Sequence, residues 1–419
     1  VAETIMLWAI PVFFVLIAVE LVAAWRTGRA VYRVNDAIAS LSLGTLSQLS
    51  GVFTKVLTVG VYALAVEHLA LFELSAGNPW VWVAGLLLYD FFYYWHHRAG
   101  HEVNLLWAAH VVHHQSERYN LTTALRQTSS GALFGWVFYL PMAVLGFPLE
   151  VFVVVAVINL LYQFWVHTEL VGKLGWYDRV FVSPSNHRAH HAVNPRYLDR
   201  NYGGILILWD RMFGTFVEED EADPPVYGTR APLRSFNPVW ANLEVYAGLW
   251  RESRRIRRWR DRLRLWLGKP GWRPADLEAR DPQPAFDITR PEYDPPVSRA
   301  RTLGALLGFA LLLPLSVHFL MTATTRLWGG SLVYAAAILV GLVLLCALLE
   351  GGDRPGLGLP GGARKRDGAR RPRPSDPPDA RDQVPLSTSG GAALSASAAR
   401  KPRLRSSGST TGGRPRKAM

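Results

Sequence analysis

Asp90-Phe-Phe-Tyr-Tyr-Trp-His-His97-Arg-Ala-Gly-His101 brings an apolar run to its end on two histidines four residues apart. Further along come His110-Val-Val-His113-His114 and then His187-Arg-Ala-His190-His191. Spacings of three and four residues put the members of each set on one helix face. Chance clustering or a solvated surface gives no reason for an HxxHH spacing to occur twice. Eight imidazoles are too many for one metal ion and suit a pair of ions. With no thiolate beside them they fit iron, copper or zinc.

Outward from these sets the chain is dominated by apolar runs of membrane length. The first is Thr4–Trp25, with Glu20 its one interior charge; it lacks the basic start and short apolar core of a cleaved signal peptide. A longer run over 37–71 contains Lys55 and is expected to be one tilted or kinked span. A third covers Pro79–Tyr94. Gly131–Phe147 and Leu149–Val166, parted by Pro148, are expected to form a tight helical hairpin. Leu303–Met321, kinked at Pro314, and Leu327–Leu349 complete the set. The expected fold is therefore an all-α, polytopic membrane bundle of about seven spans that carries a histidine-rich two-metal cap.

Basic residues orient that bundle. Arg26, Arg29 and Arg33 follow the first span, Arg98 follows the third, and the 173–301 segment is dense in arginine. With all of these in the cytoplasm the N-terminus lies outside, and the three histidine sets emerge on the cytoplasmic side together with His167. The net charge of +12 does not mark a nucleic-acid protein. From Asp353 to Met419 the chain holds 15 Lys and Arg against 5 Asp, so +10 of the +12 belongs to the tail. That tail is rich in Gly, Pro, Arg and Ser and cannot bury enough apolar surface to fold; a polybasic membrane-surface segment is the functional alternative. The single cysteine, Cys346, sits in an apolar run and leaves no route to disulfides, cysteine zinc sites or iron–sulfur clusters. The expected segments are 1–84, N-terminal spans; 85–218, the metal domain; 219–300, a cytoplasmic basic connector; 301–350, a C-terminal membrane hairpin; and 351–419, a disordered basic tail.

Polar residues flank the histidines at helical spacing. Asp90, Tyr94, His97 and His101 form one stripe, and an aspartate near the end of an apolar span needs a partner. Its expected role is to accept the spare ring N–H of a ligating histidine. Asn159, Gln163 and His167 make a second stripe, which nominates His167 as a ninth ligand. Glu102 is a candidate for orienting a ligand or relaying a proton, with a solvated carboxylate as the alternative. His68 and His318 stand alone in apolar runs and are expected to be structural.

The 90–101 stretch resembles the first histidine box of the fatty acid hydroxylase/sterol desaturase superfamily. His110-Val-Val-His113-His114-Gln-Ser-Glu-Arg-Tyr-Asn120 resembles its second box, and Ser183-Pro-Ser-Asn-His187-Arg-Ala-His190-His191-Ala-Val-Asn-Pro195 its third. Asp199-Arg-Asn-Tyr202-Gly-Gly and Trp209-Asp210-Arg-Met-Phe-Gly214 are similar to the alkylglycerol monooxygenase-like branch. The resemblance spans about 89–218, weakens over 240–274 and stops before the tail. It implies a non-haem di-iron centre, O2 and a lipid substrate. Hydroxylation takes two of the four electrons that reduce O2 from the substrate, so two come from outside. No nicotinamide, flavin or cytochrome b5 module is evident, which leaves an external donor protein or a diffusible reductant; the branch implies tetrahydropterin.

The outcome at the substrate is open between hydroxylation of the ether α-carbon of alkylglycerols and hydroxylation or desaturation of a fatty acid, sterol or carotenoid. From another class, a metal transporter with a cytoplasmic histidine sink would place acidic or histidine residues through the middle of several spans, where this chain has chiefly Leu, Val and Ala. A metallopeptidase is a poor rival, since His101-Glu102 lacks the second histidine of HExxH. Truncation after Glu350 is expected to leave membrane insertion and hydroxylase activity unchanged. Loss of activity in a detergent-free membrane assay would show that the tail has a role.

Overall fold

Apolar runs with polar caps become helices, and the caps set where each begins. This computed structural model describes residues 2–350; the tail expected to be disordered lies outside the described residues. The chain opens with α1 (Ala2–Thr27), α2 (Val34–Lys55) and α3 (Val61–Leu69), the last two joined through a π-helical turn, Val56–Gly60. Then follow α4 (Pro79–Glu102), α5 (Asn104–His114), α6 (Leu121–Ala124), α7 (Ala132–Gly135), α8 (Leu140–Val144) and α9 (Leu149–Trp165). Short helices α10 (Tyr177–Val180), α11 (Pro184–His191) and α12 (Leu208–Phe213) precede α13 (Pro238–Arg255), α14 (Trp259–Leu267) and α15 (Ala275–Arg280). The long α16 (Arg299–Thr322) and α17 (Trp328–Leu348) come last. Among the described residues there is no named strand, only isolated bridges such as Phe181 to Leu206.

The helices that matter most start alike. Asn78, Ser183 and Asn237 each accept from backbone N–H groups of the first turn of α4, α11 and α13, with proline next in sequence. Such a residue satisfies donors that the helix cannot satisfy itself, and proline at the first position gives up an N–H that had no partner.

Three helices are long and apolar enough to cross a membrane: Trp8–Thr27, Arg299–Thr322 and Trp328–Leu348. A fourth is added if the pair Val34–Thr54 and Leu57–Leu69, bent by 47°, counts as one span. That bend is where the kinked 37–71 span was expected. The run from Pro79 does not stop at Tyr94; α4 continues without a break through His97 and His101. The expected hairpin about Pro148 is present as shorter apolar helices, Ala132–Val144 and Leu149–Trp165. Within the first of these the chain tightens into a 3-10 turn, Trp136–Tyr139. Length and composition thus mark three helices, or four with the bent pair, as spans.

Contacts sort the loops into two ends. At one end Leu71 N donates to Val144 O at 2.7 Å and Tyr62 Oη to Phe147 O at 3.0 Å. At the other end lie the histidines, and Arg33 reaches Glu292 at 3.2 Å while Glu350 accepts from Ser235 and from the Phe236 N–H. Glu20, the interior charge of α1, is buried. Its carboxylate accepts from Tyr32, from the Leu121 N–H at 2.8 Å and from Thr168 at 2.5 Å. It ties α1 to the segments that follow the second histidine set and His167.

Gly146 has a φ of +85°, and a Cβ there would stand 1.7 Å from the Phe72 carbonyl oxygen. Gly146→Ala is therefore expected to lower stability by at least about 1 kcal/mol, from the left-handed backbone alone. Thermal unfolding in detergent measures this, and an unchanged midpoint would mean that the two far-end loops do not need their contact.

Candidate metal centre

Four elements converge on one buried volume. α4 supplies His97 and His101, α5 supplies His110, His113 and His114, the turn after α9 supplies His167, and α11 supplies His187, His190 and His191. Their ring nitrogens fall into two groups, each with every candidate ligand atom within 4.8 Å of the others. One is His97, His101, His110, His114 and His190; the other is His113, His167, His187 and His191. All nine expected ligands are thus gathered, and the α5 set is divided between the two groups. His110 is half-buried and the other eight are buried.

The hydrogen bonds on the far side of the rings decide which nitrogens face inward. His97 Nδ1 donates to Tyr202 O at 2.8 Å, His113 Nδ1 to Arg126 O at 2.9 Å, His167 Nδ1 to Gln163 O at 2.7 Å and His190 Nδ1 to Arg200 O at 2.9 Å. A carbonyl can only accept, so each of these rings carries its proton on Nδ1 and a bare lone pair on Nε2. Yet His113 Nε2 and His167 Nε2 stand 3.2 Å apart. Two lone pairs at that distance repel unless a cation lies between them. Nitrogens about 2.1 Å from one ion and at right angles about it would stand about 3 Å apart. Nε2 of His101 and of His190 are buried with no hydrogen-bond partner. The donor set, in two groups of imidazole nitrogens, is compatible with metal binding.

Burial pushes the imidazoles down in pKa, His113 to about 4 and His190 to about 3, and neighbouring histidines push others, such as His114, further. The neutral form is the one that ligates a metal.

Asp90 does not accept from a histidine as the sequence suggested. Its two oxygens take the N–H groups of Ile205 at 2.7 Å and Leu206 at 3.0 Å, Trp209 Nε1 at 2.9 Å and Asn159 Nδ2 at 2.9 Å. It anchors a loop, and that loop carries the carbonyls that orient His97 and His190. Glu102 meets no histidine either; it pairs with Arg98 one turn back at 2.9 Å. The acid beside His101 is Asp199, 3.9 Å from its Nδ1. His68 and His318 belong to neither group.

Asp199 and Asn201 hold φ of 56° and 57°, a left-handed conformation that Asp and Asn tolerate better than most residues. The Asn201 side chain donates to Asn186 O and Val217 O and accepts from Val217 N. Asp210 accepts from the N–H groups of Tyr202 and Gly203, both at 2.7 Å. Tyr119, missed in the sequence, stacks on His167 with ring centroids 5.6 Å apart and on Tyr227 at 4.9 Å. The left-handed pair and the loop's acceptors had one visible signal, the Asp199-Arg-Asn201 and Asp210 positions within the family-like stretch.

The fatty acid hydroxylase family profile matches residues 82–215, which include all nine candidate ligands. Alkylglycerol monooxygenase of Xenopus tropicalis is 40% identical over 308 residues, 73% of this chain and 68% of that protein. The enzyme of the same name from Danio rerio is 38% identical over 347 residues, covering 82% and 77%. The chain belongs to the alkylglycerol monooxygenase family. Ornithine lipid hydroxylase OlsE of Rhizobium tropici is a more distant relative, 32% identical over 135 residues, 32% of this chain and 41% of that one. No solved structure matches. As a member of this family the chain is a membrane lipid hydroxylase, an oxidoreductase of the monooxygenase kind.

The histidines give a pH test on metal-free protein. Their folded-state pKa values lie below the ordinary 6.5, so between those values the unfolded chain binds more protons than the folded one. The stability they contribute is full above pH 6.5 and is lost as the pH falls toward 4. Thermal unfolding of metal-stripped protein is expected to show a midpoint that drops steadily across that window, whereas a flat profile would mean that the imidazoles are not buried neutral.

Proposed function

We propose that the two histidine groups hold two iron ions and that the enzyme uses O2 to hydroxylate the carbon next to the ether oxygen of an alkylglycerol. The observation that supports this best is the pair of nitrogen groups with lone pairs turned inward, set in a chain about 40% identical to alkylglycerol monooxygenase of Xenopus tropicalis. Iron held there would supply the reductive activation of O2. One oxygen atom enters the C–H bond and the other leaves as water, with two electrons and two protons from a donor. The product is a hemiacetal, which breaks into a fatty aldehyde and a free glycerol hydroxyl. The task of the protein's own residues is to hold the α-carbon in place and keep water out. Rings fixed by backbone carbonyls suit that task.

The reductant is the diffusible tetrahydropterin implied by the family resemblance, or else a donor protein. A cleft of about 220 Å³ supports a small donor. Glu117, Arg118, Glu169 and Arg290 line it with Tyr227, whose ring stacks on Tyr119 and so reaches His167 and His191. The same reading places seven segments across the membrane, with the N-terminus outside and the histidines on the cytoplasmic side. In its favour, the loops at 70–78 and 145–148 meet at the end far from the histidines, and the arginine-rich 219–300 connector lies at theirs.

Purified enzyme is expected to carry about two iron ions per chain, one for each group. His113→Ala and His190→Ala should each lose iron and turnover while still inserting into membranes. Membranes given an alkylglycerol, O2 and tetrahydropterin should release fatty aldehyde. Hydroxylation of an acyl chain or sterol with no aldehyde would remove the ether assignment and leave the hydroxylase. A single zinc per active chain would remove the iron pair.

A further inference from the structure

We propose that α13 and α14 lie in the headgroup layer of the leaflet on the histidine side, and that the groove they form with α17 holds one alkyl chain of an anionic membrane lipid. The groove has a volume of about 530 Å³, within the range of small-molecule sites. Its walls are Trp240, Leu243, Tyr246 and Trp250 of α13, Trp266 of α14 and Val343 of α17. It lies outside both histidine groups, and the inference does not depend on the ether substrate or the iron pair.

The position of α13 follows from its ends and its inner face. Glu350, just past α17, accepts from Ser235 and from the Phe236 N–H, and Phe236 packs with Leu345, Cys346 and Leu349. The start of α13 is thereby fixed to the end of a helix long and apolar enough to cross a membrane. Its inner face is occupied: Ala241 O accepts from Gln115, beside the second histidine set, and Asn242 accepts from the Ser129 N–H.

The outer face is apolar and open. Leu243 is 50% exposed and Trp250 61%. On α14, Trp259, Leu263 and Leu267 recur every four residues and are 50% exposed or more. Interleaved with them are exposed Arg251, Arg254, Arg257, Arg258 and Arg262. Tryptophan and leucine on one face with arginine beside them is the composition of a helix lying in a membrane interface. A protein partner is disfavoured, because the groove runs onto the outward surface of α17, where Val340 is 57% and Leu344 60% exposed. That surface belongs to lipid chains. The guanidinium groups beside it select an anionic headgroup.

The test uses full-length protein in phosphatidylcholine nanodiscs doped with phosphatidylserine. Trace phospholipids of either headgroup, carrying a diazirine along one chain, are photolysed and the adducts mapped by peptide mass spectrometry. Adducts are expected on the 239–250 peptide and at Val343 as well as on α1. The serine lipid should be favoured over the choline lipid on α13 by about fivefold, relative to the same ratio on α1. Ala247→Trp, which fills the groove, should remove the α13 adducts and leave those on α1. Arg254→Glu with Arg257→Glu and Arg258→Glu should bring the headgroup ratio on α13 down to that on α1. An unlabelled α13 in the wild type, equal labelling by both headgroups, or labelling that persists in Ala247→Trp would each overturn the proposal. Crosslinks between two copies at Leu243 or Trp250 would replace the lipid with a second copy of the chain.

Discussion

A backbone carbonyl behind an imidazole determines what its other nitrogen can do. In this protein four rings have their Nδ1 protons committed to Tyr202, Arg126, Gln163 and Arg200, and the opposed lone pairs all turn inward. A hydrogen bond between His113 and His167 cannot relieve this for that pair, because neither has a proton left to share across their 3.2 Å contact. Everything around the centre serves to keep those carbonyls where they are. The same constraint suits the site to a cation, since the ring nitrogens of each group converge within 4.8 Å.

Two of the four carbonyls sit on the 199–210 loop, which has no regular structure until α12. Asp90 and Asp210 hold it with paired backbone N–H bonds, and Asn201 fastens it to Val217. Charge-assisted bonds of this kind are roughly twice as strong as neutral ones. Gly204 lets the loop lie against α4 and α9: a Cβ there would stand 2.8 Å from Asn159, Asp90 and Tyr93. A carboxylate within an apolar helix is tolerable because four donors surround it. The membrane helices thus act as struts for a loop, and the loop acts on the rings.

All nine ring-bearing positions were legible in the sequence because helical spacing is periodic and histidine is chemically distinctive. His167 followed from Asn159 and Gln163 at the same spacing. What held the rings was not legible. A carbonyl is present at every residue, so nothing in residue type marks Arg126 or Arg200 as a partner. Asp90 was noticed for its place in an apolar run, but the Ile205 and Leu206 N–H groups that donate to it lie more than a hundred residues away. Glu102 was chosen for adjacency to His101, while the chain turned Asp199 toward that ring instead. The all-helical fold was plain from the apolar runs, and three of them became helices long and apolar enough to cross a membrane, while Trp, Tyr and Asp90 make α4 less apolar than those.

Order of synthesis follows from the distance between the rings and their supports. His97 leaves the ribosome 105 residues before Tyr202, whose carbonyl sets its tautomer. The loop is not fastened until Val217 has followed. During that interval the first two histidine sets are complete in sequence but have no fixed ring orientation. Metal that arrives then meets freely rotating imidazoles and binds without the selectivity of the finished centre. Any metal loading therefore belongs after translation of this region, and an ion that reached the rings earlier would be whichever divalent ion was most available.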